Sequence, residues 1–468
     1  MVTRNLLTRL GLSLSIAANL AVPSPSPARG NQAPNIVFIL ADDLGYADLS
    51  SYGAQGYETP ALDRLAAEGM RFEQAYANAA VCSPTRAALL TGRYQGRFRA
   101  GLNEPNIRFK PGEEIPASTP TVATLLKQRG YRTALIGKWH VTKVPEFGPR
   151  QYGYDHFFGI EGGAADYFQH VIVNQGRRGD GPFENETIVK RDGYLTDILA
   201  DEAIRQIEAG GPQPLFLSLH FTAPHWPWEG PDDRNRALQL NDMRDASGGS
   251  LAIYAEMMKN LDANIGRVLA ALDKAGMADN TIVVFTSDNG GERFSNSWPL
   301  VGYKGELLEG GIRVPMIVRW PGRIQPGTLS QQVTISMDSV PTFVEAAGGN
   351  PPNAMDGISI LPQLTGKAPP VQRTLFWRYK SGEQAAVREG DWKYLRIGNK
   401  EQLFNLAADV RERAELKEIH PDIFARLKSK WEEWNADMLP YTPDIFSEGA
   451  LPFFSDRYVQ PESGKDGH

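Results

Sequence analysis

Residues Asn35-Ile36-Val37-Phe38-Ile39-Leu40 form an unbroken apolar run of strand length that ends at Ala41-Asp42-Asp43-Leu44-Gly45. A strand with no polar alternation has no face to offer water, so it fits a parallel sheet covered on both sides. Thr281 to Thr286 repeats the pattern and ends at Ser287-Asp288-Asn289-Gly290-Gly291. Further strands are expected from Met70 to Ala75, Tyr131 to Ile136, Leu215 to Leu219 and Val314 to Val318. Helical stretches lie between them. One is capped at Thr59 and closed by Gly69, one starts at Cys82 and ends at Gly92, and one runs from Thr121 to Arg129 before Gly130. Two longer ones span Tyr194 to Glu208 and Leu251 to Ala275. Strand and helix alternate, which argues a doubly wound α/β sheet with helices on both faces.

The stretch 144–192 is rich in Gly, Pro and aromatic residues and reads as long loops. After Pro352 the character changes. Short strands from Thr374 to Tyr379, Ala385 to Arg388, Trp392 to Ile397 and Gln402 to Asn405 precede a helix from Ile423 to Met438. They read as a small antiparallel subdomain with an irregular tail past Tyr441. The chain thus divides into a leader (1–28), an α/β domain (29–352) and a C-terminal subdomain with tail (353–468).

The leader has the features of a signal peptide. Arg4 and Arg9 give a positive start, Leu10 to Val22 a short apolar stretch, and Ser26-Pro27-Ala28 the small residues of a cleavage site. The mature chain would begin near Arg29 or Gly30, in the periplasm or outside the cell. The apolar run is short for a membrane span, so no stable membrane anchor is expected; a retained amphipathic anchor is the competing reading. A net charge of −6 argues against a nucleic-acid partner, and 41% hydrophobic residues support a sizeable core.

The chain has a single cysteine, in Val81-Cys82-Ser83-Pro84-Thr85-Arg86-Ala87-Ala88-Leu89-Leu90-Thr91-Gly92-Arg93. Pro84 suits a first helical turn and the Ala-Ala-Leu-Leu run is good helix material. Position 82 would therefore meet unpaired N–H groups and the positive end of a helix, with Arg86 one turn on: an anion-binding corner. A lone cysteine is most often a buried structural thiol. In an exported protein it also signals a reactive or modified residue.

The polar clusters fall just after strands: Asp42 and Asp43, Lys138 and His140, His225, and Asp288 with Asn289. In open α/β sheets, ligand sites form outside the carboxyl ends of the strands. Asp42, Asp43, Asp288 and Asn289 are hard oxygen donors that suit Ca2+ or Mg2+. Arg86, Lys138 and Lys304, with His140 and His225, suit an oxyanion. Each group alone is more often a cap, a turn or a surface charge. His220, at a strand end, competes with His225 and reads as a satisfied core histidine.

Taken in order, Asn-Ile-Val-Phe-Ile-Leu-Ala-Asp-Asp-Leu-Gly, Cys-Ser-Pro-Thr-Arg, Gly-Lys-Trp-His, Ala-Pro-His-Trp-Pro, Ser-Asp-Asn-Gly and Gly-Tyr-Lys-Gly-Glu resemble the motifs of the type I sulfatases from about Asn35 to Asn405. The resemblance is nearest to the branch of arylsulfatase A and N-acetylgalactosamine-6-sulfatase. It implies an alkaline-phosphatase-like mixed sheet and oxidation of Cys82 to formylglycine by a formylglycine-generating enzyme. It also implies one Ca2+ on Asp42, Asp43, Asp288, Asn289 and residue 82. In such an enzyme the hydrated residue 82 attacks sulfur while Arg86, Lys138 and Lys304 surround the sulfate. His225 and Lys304 assist the leaving oxygen, and His140 deprotonates the second hydroxyl to expel sulfate. Ala61 and Val141-Thr142 depart from the usual pattern without removing any of these groups.

The implied substrate is a sulfate monoester, most simply a sulfated carbohydrate. The alternatives are an arylsulfatase of small aromatic esters, a phosphonate monoester hydrolase or phosphodiesterase of the same superfamily, and a non-enzymatic sulfoglycan binder with Cys82 unconverted. Trp226, Trp228, Tyr167, Phe168, Phe294 and Trp298 could stack on a ring, or could be core. Arg93, Arg97, Arg99 and Arg108 could meet a polyanion, or form a solvated face.

Overall fold

The computed structural model describes Met1 and residues 33–107, 109–243 and 248–449. The remainder of the expected leader, Arg108 and the end of the tail lie outside the described residues. No helix among the described residues is long and apolar enough to cross a membrane.

Strand Asn35–Ala41 lies between Leu215–His220 and Thr281–Ser287, parallel to both, and Arg132–Gly137 extends the parallel set beyond Leu215–His220. The apolar run of the first strand is explained by what covers it. Val37, Ile39 and Ala41 point into one core, against helices Pro60–Glu68, Leu195–Glu208 and Leu251–Lys274. Ile36, Phe38 and Leu40 point into a second core, against helices Cys82–Thr91, Val122–Gln128 and Ser339–Ala346. Each of the larger side chains gains roughly 1.5–3 kcal/mol by leaving water, so both faces must be apolar at once.

The sheet is mixed. Met316–Arg319 joins antiparallel to Thr281–Ser287, and Met70–Phe72 antiparallel to Met316–Arg319. The stretch 144–192 is not simply loop. His156–Gly159 adds a parallel strand beside Arg132–Gly137, with Phe157 and Phe158 fully buried. Phe183–Glu184 and Thr187–Ile188 then form a hairpin at the sheet edge. These strands are too short for their periodicity to stand out, and their partners are distant in sequence. Helix Ser339–Ala346 was not expected either; Pro341 in its first turns disguises a helix that is otherwise apolar and buried.

Strands Thr374–Tyr379, Gln384–Glu389, Trp392–Ile397 and Lys400–Asn405 form an antiparallel sheet. One face packs Val387, Tyr394 and Leu403 on Leu427 and Trp431 of helix Pro421–Ala436. The other packs Leu375, Trp377 and Leu395 on Tyr76, Leu307 and Ile312.

Candidate active site

Thr281–Ser287, Asn35–Ala41, Leu215–His220 and Arg132–Gly137 are neighbours in that order, so their carboxyl ends share one edge. The residues that follow them therefore meet. The Asp288 N–H donates to Ala41 O at 3.2 Å, Asp42 N–H to Ala223 O at 3.2 Å, and Lys138 N–H to His220 O at 2.9 Å. Asp43 adopts φ 61° and donates its N–H to Asp288 Oδ1 at 3.3 Å, which turns its carboxylate towards Cys82. Cys82, the first residue of its helix, places Sγ 3.8 Å from Asp43 Oδ1.

The candidate nucleophile, oxygen donors, cations and proton-transfer histidines all meet in this one cluster or its wall. Arg86 Nε donates to Asp288 Oδ2 at 3.0 Å, and Lys138 Nζ to Asp42 Oδ2 at 2.5 Å. Lys304 Nζ donates to Asp43 Oδ2 at 2.8 Å and to Glu292 Oε1 at 2.6 Å. Asn289 Nδ2 donates to Asp43 Oδ1 at 2.7 Å. Charges this deeply buried cost several kcal/mol each unless paired, which explains why cations and carboxylates alternate.

Cys82, His140, His225 and Lys304 open onto a cavity of about 350 Å³, a volume suited to a small ligand or a single sugar. Arg86 and Lys138 do not line that cavity. They stand behind it, holding Asp288 and Asp42.

The two histidines are fixed in opposite tautomers. His140 Nε2 lies 3.0 Å from Asn106 O, and a carbonyl can only accept, so Nε2 carries the proton. Its Nδ1 is buried and has no hydrogen-bond partner. His225 Nδ1 donates to Trp226 O at 2.6 Å, leaving Nε2 bare, 3.2 Å from Lys304 Nζ and 3.3 Å from Asp43 Oδ2. Burial, then Lys138, holds His140 well below the ordinary histidine range; burial, then Lys304, does the same for His225. Both are neutral at neutral pH. His220 is satisfied in the core as expected, with Ser218 Oγ at 2.8 Å from Nε2.

Burial pushes the Cys82 thiol well above its usual range despite Lys138 and Lys304. An unmodified Cys82 is thus a protonated thiol and a poor nucleophile. Burial and the neighbouring Asp288 push Asp42 up as well. Burial works against ionisation of Asp43 and Asp288 too, but their neighbours together outweigh it, Lys304 and then Lys138 at the first, Arg86 and then Lys138 at the second. The Asn289 Oδ1 and Asp42 Oδ1 atoms are buried without a hydrogen-bond partner. Such atoms cost about 1–3 kcal/mol each when left unsatisfied. Two orphaned oxygens among three buried acids fit a hard divalent cation. Asp42, Asp43, Cys82 and His225 offer ligand atoms within 4.8 Å of one another.

Three residues that shape the site escaped the sequence. Glu292 binds Lys304; its position three residues after Asn289 was the available signal. Asn106 acts through its main-chain carbonyl and Gln384 through a side-chain amide that binds main-chain groups, and neither carried a signal. Of the aromatic candidates, Trp226 lines the cavity. Tyr167, Phe168 and Trp228 are core, Phe294 packs edge-on against Trp228, and Trp298 is exposed beneath Arg411. The arginines are engaged locally: Arg97 with Asp356 at 2.7 Å, Arg99 with Asp444 at 3.2 Å, and Arg93 over the Phe98 ring.

The chain is similar to known proteins over most of its length. A family profile described as Sulfatase matches residues 34–349, and one described as N-sulphoglucosamine sulphohydrolase, C-terminal, matches 303–436. The chain is 33% identical to N-acetylgalactosamine-6-sulfatase of Mus musculus over 410 residues, covering 82% of this chain and 75% of that protein. It is 32% identical to arylsulfatase A of Homo sapiens over 419 residues, covering 82% and 77%. The crystal structure of Ps i-CgsB in complex with k-i-k-neocarrahexaose superposes with a TM-score of 0.78 at 31% identity, over 89% of this chain and 95% of that one.

Proposed function

This chain belongs to the sulfatase family, a family of sulfuric ester hydrolases, and from that premise we propose that it removes sulfate from a sulfated carbohydrate with residue 82 as nucleophile. The observation that carries this reading is the convergence of Cys82, His140, His225 and Lys304 on one cavity, over buried Asp42, Asp43, Asp288 and Asn289.

Oxidised to formylglycine, residue 82 would supply a hydrated aldehyde, one hydroxyl to attack sulfur and the other to let sulfate go. Asp42, Asp43, Asp288, Asn289 and residue 82 would hold Ca2+, whose charge favours the attacking oxygen and the sulfate oxygens. The chain's own residues do the rest. Arg86 favours the ionised form of Asp288, and Lys138 holds Asp42 in place by its hydrogen bond. Burial works against a charged Lys304, and the buried Asp43 carboxylate is the first of the neighbours that keep it charged. Lys304 Nζ faces the departing oxygen: as the S–O bond breaks its electron pair stays on that oxygen, which takes a hydrogen bond or proton from Nζ. His225 Nε2, bare and 3.2 Å away, aims that ammonium. His140 Nδ1, bare and neutral, is the base that accepts a proton from residue 82.

A sulfated carbohydrate is favoured by the relatives, one named N-acetylgalactosamine-6-sulfatase and one solved in complex with k-i-k-neocarrahexaose. The Trp226 wall beside the polar floor suits a sugar ring. The test is sulfate release from a panel of defined sulfated saccharides, with and without Ca2+, beside an aryl sulfate and an aryl phosphonate monoester. Faster phosphonate than sulfate cleavage would sink the reading; turnover of the aryl sulfate alone would remove its carbohydrate part. Mass spectrometry of the Cys82 peptide from the native host should show the aldehyde, and an intact thiol in active protein would contradict the nucleophile.

A further inference from the structure

Lys304 stands on a loop, and that loop is tied down from several directions. Lys304 N–H donates to Gly291 O at 3.0 Å, next to the Asp288-Asn289 cluster. Gly305 N–H donates to Ala80 O at 2.8 Å, two residues before Cys82. The turn needs positive φ at Gly302 (92°) and Gly305 (86°), conformations open to glycine and costly for other residues. A loop of this kind holds its shape only if its peptide groups are satisfied from outside.

The outside partner is Gln384, the first residue of strand Gln384–Glu389 in the C-terminal sheet. Its Nε2 donates to Gly305 O at 2.8 Å and to Ser381 O at 3.1 Å, while its Oε1 accepts from Leu307 N–H at 2.8 Å. Both N–H bonds and the carbonyl of one buried amide are therefore used, and two of the three bonds clasp the peptide groups just after Lys304. A carboxylate at this position would lack the donors, and an aliphatic side chain would lack everything. Beyond the clasp, Glu309 N–H donates to Glu412 Oε2 at 2.6 Å, so the same subdomain holds the far end of the loop.

We propose that Gln384 is a positioning residue for Lys304: its amide fixes the loop so that Nζ stays within reach of the departing oxygen. This rests on the leaving-group role given to Lys304 above. A donor must lie within about 2.6–3.2 Å of its acceptor to act, and a displacement of about 1 Å can cost some 100-fold. The C-terminal sheet then contributes to the chemistry through a main-chain clasp, without touching substrate.

The test uses full-length enzyme and a series of aryl sulfates whose phenols range from strongly to weakly acidic. Phenolates that leave easily need no proton; poor ones do. The quantity read is the ratio of kcat/KM between the two ends of the series, measured in one sample, so the folded fraction cancels. Lys304→Ala should depress the poor leaving groups selectively. Gln384→Ala should shift the ratio in the same direction by about 10-fold or more, and Gln384→Glu should do so by less, since it keeps the acceptor for Leu307. The double variant should show no shift beyond that of Lys304→Ala. If Gln384→Ala slows the whole series equally, Gln384 is merely structural and the proposal falls. If Lys304→Ala itself leaves the ratio unchanged, the role of Lys304 fails first and the clasp loses its purpose with it.

Discussion

Nε2 of His140 and Nδ1 of His225 each face a main-chain carbonyl, and that decides which nitrogen is left to do chemistry. The same burial that keeps these rings neutral also makes the fold sensitive to acid. His220 shows it most clearly: burial first, then Arg86, lowers it to about 3. The unfolded chain binds that proton near pH 6.5 and the folded chain does not, so stability falls as pH drops from about 6.5 towards 3. Each such histidine contributes a slope of about 1.4 kcal/mol per pH unit in that window. Urea unfolding of His220→Gln across the window should give a shallower pH dependence than the parent; an unchanged slope would mean that His220 is not the group responsible. A second consequence concerns the acids. Asp42 and Asn289 carry buried oxygens without hydrogen-bond partners. Chelation of divalent cations should lower the unfolding temperature, and Asn289→Ala should blunt that response; equal melting with and without chelator would argue against a bound cation.

Elements place these residues, and two contacts show how tightly. Gly163 packs against the His140 ring so closely that an added Cβ would sit 2.6 Å from its Cε1. Gly163→Ala should therefore displace the ring, lowering kcat by roughly 10- to 100-fold with little change in unfolding temperature; full activity would mean that the ring position is not limiting. Strand Asn35–Ala41 makes the opposite kind of contribution. Ile39 is fully buried in the apolar core, so Ile39→Ala should cost about 2–5 kcal/mol in denaturant unfolding. Long strands and helices like these were legible because their periodicity is intrinsic. His156–Gly159 was not, because a strand of four residues owes its existence to the edge of Arg132–Gly137.

At the scale of the molecule, the C-terminal sheet is joined to the α/β layers by more than apolar contact. Lys393 Nζ bridges Glu309 at 2.9 Å and Glu412 at 2.8 Å, all three buried. Burial raises the cost of an ionised Glu309, but Lys393, Arg313 and Arg388 hold it at about 2. Lys393→Ala would strand two carboxylates and should cost about 3–5 kcal/mol, read as a lower urea midpoint for the whole chain. Unfolding of the C-terminal sheet alone, with the α/β part unmoved, would show that the two are not coupled through this lysine.

The sequence by itself determined the repertoire. Cys82 with its helix, the oxygen donors Asp42, Asp43, Asp288 and Asn289, and the cations and histidines of the site are all set in local patterns, because strand ends and helix starts announce themselves within a few residues. Only the tertiary structure decided how these groups divide the work. It put Lys304 and the two histidines on the cavity and Arg86 and Lys138 behind it. It chose the histidine tautomers through the carbonyls of Asn106 and Trp226. It also gave the Lys304 loop to Gln384, some eighty residues away. The physical reason is that burial and pairing are properties of neighbours in space. A side chain's charge state and reach depend on who surrounds it, and at this sheet edge the neighbours come from strands far apart in the chain.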